Sequence, residues 1–226
     1  IQLKPALMPR STAGAAEETT MVPDAILHPR FAQRKPGVGM WFCGDQYVFQ
    51  QLVQRRTLAF YDLTAEMHRA TSPTATLSPH LGSLITHQLQ QRLVQEAELL
   101  HARTRSAGEA WDSSLARASI GAGYERGAGG AAFASVALID VAPQDTARLW
   151  TPSAVATPQY ALEHLVPDTG LRADLRAWMQ RTPRAWTAAG DGAALVRHPA
   201  TTPLAIALWR LATWIDSQSR LLAPID

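Results

Sequence analysis

Cysteine is nearly absent from the chain, with Cys43 the only one. A lone thiol makes no internal disulfide and cannot anchor a cysteine-based zinc site. It fits a reducing compartment, so a cytoplasmic location is the expectation. Lysine is almost as scarce: Lys4 and Lys35 stand against 19 arginines and 39 alanines. Joint enrichment in Arg and Ala is also what a GC-rich genome produces, which discounts arginine number as a functional signal. No stretch approaches 18 apolar residues, so no membrane-spanning helix is expected. No charged segment followed by an apolar one opens the chain as a signal peptide would. A large charge imbalance is missing as well. The net charge is +2, and residues 1–40 hold five basic against three acidic side chains, which is the whole surplus. A protein that wraps a nucleic-acid backbone shows a larger imbalance than this, so any basic surface must be a local patch.

Complete catalytic motifs are also lacking. Gly121–Gly130 is glycine-rich, and backbone N–H groups in such loops cradle phosphates. No Lys–Ser/Thr follows it, however, and Ser113–Ile120 is a poor preceding strand, so the phosphate-loop and dinucleotide signatures fail. Glu98 and His101 match Glu-x-x-His, but a di-metal bundle needs a second such pair and two further Glu. His80, His87, Gln91, Glu98, His101 and Arg105 share one sector of a helix, as a solvated polar stripe does. No metal and no cofactor are expected. Cys43 sits beside Trp41 and Phe42, where burial is the ordinary fate of a free cysteine.

What is present is helical periodicity with proline punctuation. Residues 1–44 show neither a helical nor a sustained alternating period, and Pro5, Pro9, Pro23, Pro29 and Pro36 interrupt them. Proline lacks a donor N–H and biases the preceding residue to extended geometry. This region reads as an irregular N-terminal arm, with Ser11–Thr20 expected to be mobile and Ile26–Leu27 and Met40–Trp41–Phe42 expected to dock on the core. Residues 45–226 read as one helical domain with a subdivision allowed near 108–130. Asp45 is placed to cap a first long helix over about 46–70. Ser78–Pro79 starts a second, antiparallel one that ends near Gly108, with Leu81, Ile85, Leu89, Leu93, Ala97 and Leu100 on its apolar face. A short strand is allowed near 132–141. Thr157–Pro158, Thr182–Pro183 and Thr202–Pro203 repeat the cap signature, Asp168 is placed to cap a helix over about 170–181, and the last helix spans 203–222. The fold class is mainly α, with a C-terminal cluster of shorter helices.

The most suggestive local pattern is an Arg/Trp segment at 172–198. It contains Arg172, Arg176, Arg181, Arg184, Arg197 and His198 with Trp178 and Trp186. Guanidinium forks grip phosphate oxygens and an indole stacks on an exposed base. The same residues also serve as core anchors with arginines stacked on their rims. The arm repeats the theme with Arg30, Arg34 and Lys35 around Phe31. The expected function is a non-catalytic nucleic-acid-binding subunit of a larger assembly, meeting the phosphate backbone through these residues. One alternative is a protein–protein adaptor without nucleic-acid contact, since Trp and Arg are also enriched at interface hot spots. A second is an enzyme with a pocket near loop 121–130.

Overall fold

The computed structural model describes residues 1–8, 18–35, 39–54, 76–120, 135–140, 159–182, 185–189, 192–196 and 198–222. The protein is mainly α-helical, and among the described residues no helix is long and apolar enough to cross a membrane. The chain forms two units, one of residues 1–89 with 213–226, the other of residues 90–212.

The first unit begins with a sheet where an irregular arm was expected. Strand β1 (Gln2–Met8) pairs antiparallel with β2 (Glu18–Asp24), Gln2 opposite Asp24 and Met8 opposite Glu18. Strands β3 (Met40–Trp41) and β4 (Thr76–Leu77) complete the order β3-β1-β2-β4. The two prolines that argued against regular structure stand where they cost little. Strand β3 reaches β1 only at Gln2 and Leu3, and β4 reaches β2 only at Thr20 and Met21. Pro5 and Pro23 therefore each lie on a stretch flanked by a partner strand on one side, the edge situation in which a missing N–H is tolerated.

Helix α1 (Gln46–Gln54) follows, capped by Asp45 as the sequence suggests. The Asp45 carboxylate accepts from the N–H groups of Tyr47 (2.8 Å) and Val48 (3.3 Å). The remainder of the expected first helix, and with it the antiparallel pairing of two long helices, lies outside the described residues. Helix α2 runs Leu81–Ile120, passing Gly108, which had been expected to end it. A single glycine inside a helix costs only about 1 kcal/mol. In this unit Leu3, Met21, Ile26, Phe49, Leu81, Ile85, Leu89 and Trp214 form the buried core. Phe42 stacks on Phe49 at 5.2 Å and Phe49 lies 5.9 Å from Trp214. The Trp214 indole N–H is satisfied by the Thr86 hydroxyl at 2.9 Å. Trp41 departs from expectation: it is 70% exposed rather than docked, and Cys43 is exposed too.

The second unit holds a four-stranded sheet in the order β6-β5-β8-β7. Strand β5 (Ser135–Asp140) is the short strand allowed near 132–141. It pairs parallel with β6 (Gln159–Ala161) and antiparallel with β8 (Gly192–Val196). Helix α3 (Leu162–Leu165) is one turn, and α4 (Thr169–Arg181) is capped by Asp168, whose carboxylate accepts from the Leu171 N–H at 2.8 Å. Thr182–Pro183 does not start a helix. Thr182 closes α4, its hydroxyl donating to the Trp178 carbonyl, and β7 (Trp186–Ala189) turns into β8 with Ala189 opposite Gly192. Helix α5 (Thr202–Leu222) is the expected last helix. On α2, Leu93, Ala97 and Leu100 are buried; on α5 Leu204, Leu208 and Leu211 are buried and Ile215 is half-buried.

The sharpest packing constraint is Gly39, which enters β3 against β1. A Cβ there would lie 2.8 Å from the Leu3 carbonyl oxygen and 2.6 Å from the Gln2 side chain. The backbone oxygen has no rotamer with which to escape. Gly39→Ala should therefore destabilise the protein by about 1–3 kcal/mol, measured as a lower urea midpoint with an unchanged slope.

Candidate functional site

Of the basic residues singled out from sequence, the described ones belong partly to the first unit and partly to the second. In the first unit, the site is the turn between Asp24 and Lys35. Strand β2 ends at Asp24, and Ala25 takes a left-handed conformation (φ 57°) that reverses the chain. Ile26 is buried beneath the turn at 1% exposure. The His28 carbonyl then accepts from both Phe31 N–H (2.8 Å) and Ala32 N–H (3.1 Å), and His28 Nδ1 accepts from Arg30 N–H at 3.1 Å. That last bond requires Nδ1 to carry no proton. The His28 and Phe31 rings meet edge to face at 6.2 Å. The Lys35 N–H returns to the Asp24 carboxylate at 3.2 Å, so the two ends of the segment are tied. Closed ends and internal packing make this an Ω-loop, a class that frequently carries function.

At the root of the loop lies a buried ion pair. Lys4 stands opposite Val22 in the β1–β2 register, which puts it diagonally across from Asp24 on one face of the sheet. The Lys4 ammonium lies 3.2 Å from Asp24 Oδ2, an ionic contact rather than an aligned hydrogen bond, and also donates to the Lys35 carbonyl. Both side chains are buried. Burial by itself raises the Asp24 carboxyl, but the Lys35 N–H, the Lys4 ammonium and the Ala25 N–H outweigh it and hold the group below its ordinary value of 3.8. Both backbone polar groups of Lys35 are therefore engaged by members of one ion pair.

The face this loop presents is basic and aromatic. Arg30, Phe31, Arg34 and Lys35 are all exposed, and no acidic residue occurs from Ala25 to Lys35. None of the three basic side chains enters an ion pair among the described residues. Arg guanidinium and Lys ammonium groups bind phosphate oxygens, and an exposed ring stacks on a base.

The Arg/Trp segment of the second unit is used differently. Arg172 and Arg176 lie half-buried on α4, and the Arg172 guanidinium donates to the Val166 carbonyl at 3.3 Å. Arg181 is exposed, with its guanidinium stacked 4.6 Å over the Trp178 ring. His101 packs on the same ring at 5.3 Å, and its Nδ1 lies 3.2 Å from the Arg181 carbonyl oxygen, which can only accept. No cluster of three metal-ligating side chains occurs among the described residues. Trp186 is half-buried, and its indole N–H is buried without an acceptor among the described residues. Packing anchors with arginines around them fit these contacts. Arg184, Arg197 and loop 121–130 lie outside the described residues.

A further charged group in the second unit is internal. Glu96 is 1% exposed on α2 and pairs with Arg92 at 2.6 Å one turn away. Burial, and then the positive charge of Arg92, lower the affinity of the Arg210 guanidinium for its proton.

Sequence reasoning named Arg30, Arg34 and Lys35 but passed over Lys4 and Asp24, whose roles depend on strand register. Comparison with protein-family models, with curated proteins and with solved structures gives no match.

The Lys4–Asp24 pair gives a pH prediction. The folded-state pKa of Asp24 lies below its unfolded value of 3.8. Its ionised form therefore stabilises the fold fully above 3.8 and less as pH falls through the lower folded value. A Lys4→Met/Asp24→Leu double variant lacks this component. Urea unfolding from neutral pH down to below 3.8 should show wild type losing stability relative to the double variant, and parallel acid limbs would refute the assignment.

Proposed function

We propose that the protein is a non-catalytic nucleic-acid-binding subunit, and that the Asp24–Lys35 loop is its contact with the phosphate backbone. The observation that carries this reading is the exposed set Arg30, Phe31, Arg34 and Lys35 on a loop whose own backbone bonds are satisfied. Three cations in one turn, with no carboxylate among them, form the local basic patch that a neutral body requires. Phe31 supplies a stacking face and favours single strands over duplex. On this reading Arg172 and Arg176 stay with packing, and among the described arginines of that segment Arg181, stacked on Trp178, is the exposed one.

A second reading, a protein–protein adaptor, is favoured by a different observation. Trp209 and Ile206, one turn apart on α5, are each 51% exposed. Large apolar side chains left in water mark interaction surfaces when they cluster.

The two readings separate experimentally. For the first, binding of a labelled single-stranded oligonucleotide is measured by anisotropy across a salt series. Arg30→Ala/Arg34→Ala/Lys35→Ala should lower affinity by about tenfold or more and reduce the salt slope by roughly two to three. Unchanged affinity and slope would end the assignment. For the second, nuclease-treated protein is sedimented. Ile206→Ser with Trp209→Ser should shift an assembled species to the monomer, and a monomer already present in wild type would count against self-assembly through α5.

A further inference from the structure

We infer that Lys4 and Asp24 are positioning residues for phosphate binding: the buried ion pair joining β1 and β2 fixes the loop that carries Arg30, Arg34 and Lys35. The inference rests on the reading of that loop as the nucleic-acid contact, and it adds what holds the contact in shape.

The argument starts from an imbalance between cost and yield. Burying an ammonium and a carboxylate is expensive, and such a pair is often replaceable by apolar residues at no loss of stability. Here both charges are buried, at 7% and 6% residual exposure. Stability alone gives little reason for the pair, yet its geometry has a local consequence. Asp24 accepts the Lys35 N–H and Lys4 donates to the Lys35 carbonyl. One residue of the loop is gripped at both backbone polar groups by the two members of one ion pair. The partners come from different strands, with Lys4 on β1 and Asp24 at the end of β2. The grip therefore ties the return of the loop to the sheet and not merely to its own start. His28 shapes the tip through three backbone acceptances, and Ile26 fills the space beneath. With tip, floor and return fixed, Arg30, Arg34 and Lys35 leave from a defined backbone. Binding to such a loop loses less conformational freedom than binding to a free one.

The Lys4→Met/Asp24→Leu double variant tests this, because it removes the grip while filling the space with apolar side chains of similar size. Two readouts are taken on the full chain. The first is the rate of tryptic cleavage after Arg30 and Arg34, which reports loop opening. The second is affinity for a labelled single-stranded oligonucleotide across a salt series. The double variant should keep its circular dichroism spectrum, be cleaved about tenfold faster, and bind about fivefold more weakly. Its salt slope should stay at the wild-type value, since all three cations remain. A merely structural role would not combine weaker binding with an unchanged slope and spectrum. Wild-type cleavage and affinity in the double variant would overturn the inference. Cleavage that accelerates while wild type itself binds no oligonucleotide would uphold the grip on the loop and sink the nucleic-acid reading. Should the double variant fail to fold, Asp24→Asn decides: it keeps an acceptor for the Lys35 N–H but removes the charge beside Lys4. Cleavage several-fold faster than wild type supports the ion pair as the anchor, and an unchanged rate rejects it.

Discussion

A charge taken out of water must find an opposite charge, and in the first unit that requirement organises everything around it. Lys4 and Asp24 meet only because β1 and β2 pair in one register. A slip of one residue would send either side chain to the other face and strand a buried charge. The pair thus selects the register, the register sets where β2 ends, and the end of β2 sets where the chain reverses at Ala25. The left-handed alanine is a strained choice, disfavoured by roughly 1 kcal/mol or more relative to ordinary backbone. It persists because Ile26 beyond it is buried and Lys35 further on is tied back to Asp24.

The second unit solves the same problem without a loop. Glu96 is buried beside Arg92, one helical turn away on α2, so its partner is guaranteed by helix geometry and needs no strand register. Around Trp178, an arginine and a histidine cover an aromatic ring, while Arg172 occupies a free carbonyl at the end of α3. The arginines most prominent in the sequence are thus partly consumed by the protein itself. The less conspicuous ones between β2 and β3 keep their side chains in solvent.

The helices were largely legible because their signal is local. The spacing of Leu81, Ile85, Leu89, Leu93, Ala97 and Leu100 names the buried face of α2, and each is buried. Asp45 and Asp168 cap as their positions suggest. The sheets were not legible, for two reasons. Prolines at 5 and 23 suppress a strand reading, yet the register gives each a hydrogen-bonded neighbour on one side only. Thr182–Pro183 mimics a helix start, whereas Gly190–Asp191–Gly192 a few residues on is a hairpin signature that outranks it. Of the candidate site, the basic residues could be read from composition. The ion pair beneath them could not, since it joins residues twenty apart through a pairing that no local pattern encodes.

The size of the basic loop bounds what it can do alone. On the proposed reading, three cations would release about three counterions, for a slope near −2.7 on duplex and about −2 on a single strand. Raising salt fourfold would then weaken binding by roughly 20- to 40-fold. That is the behaviour of an auxiliary contact, since a free-standing reader of nucleic acid commonly uses twice as many phosphate contacts or more. A body with no net charge offers nothing to steer a polyanion from a distance. If the loop is used in this way, other subunits must supply the rest of the affinity. The exposed Trp209–Ile206 face of α5 then ceases to compete with the nucleic-acid reading. It becomes its complement, a surface through which an assembly would bring a small basic loop to a strand held elsewhere.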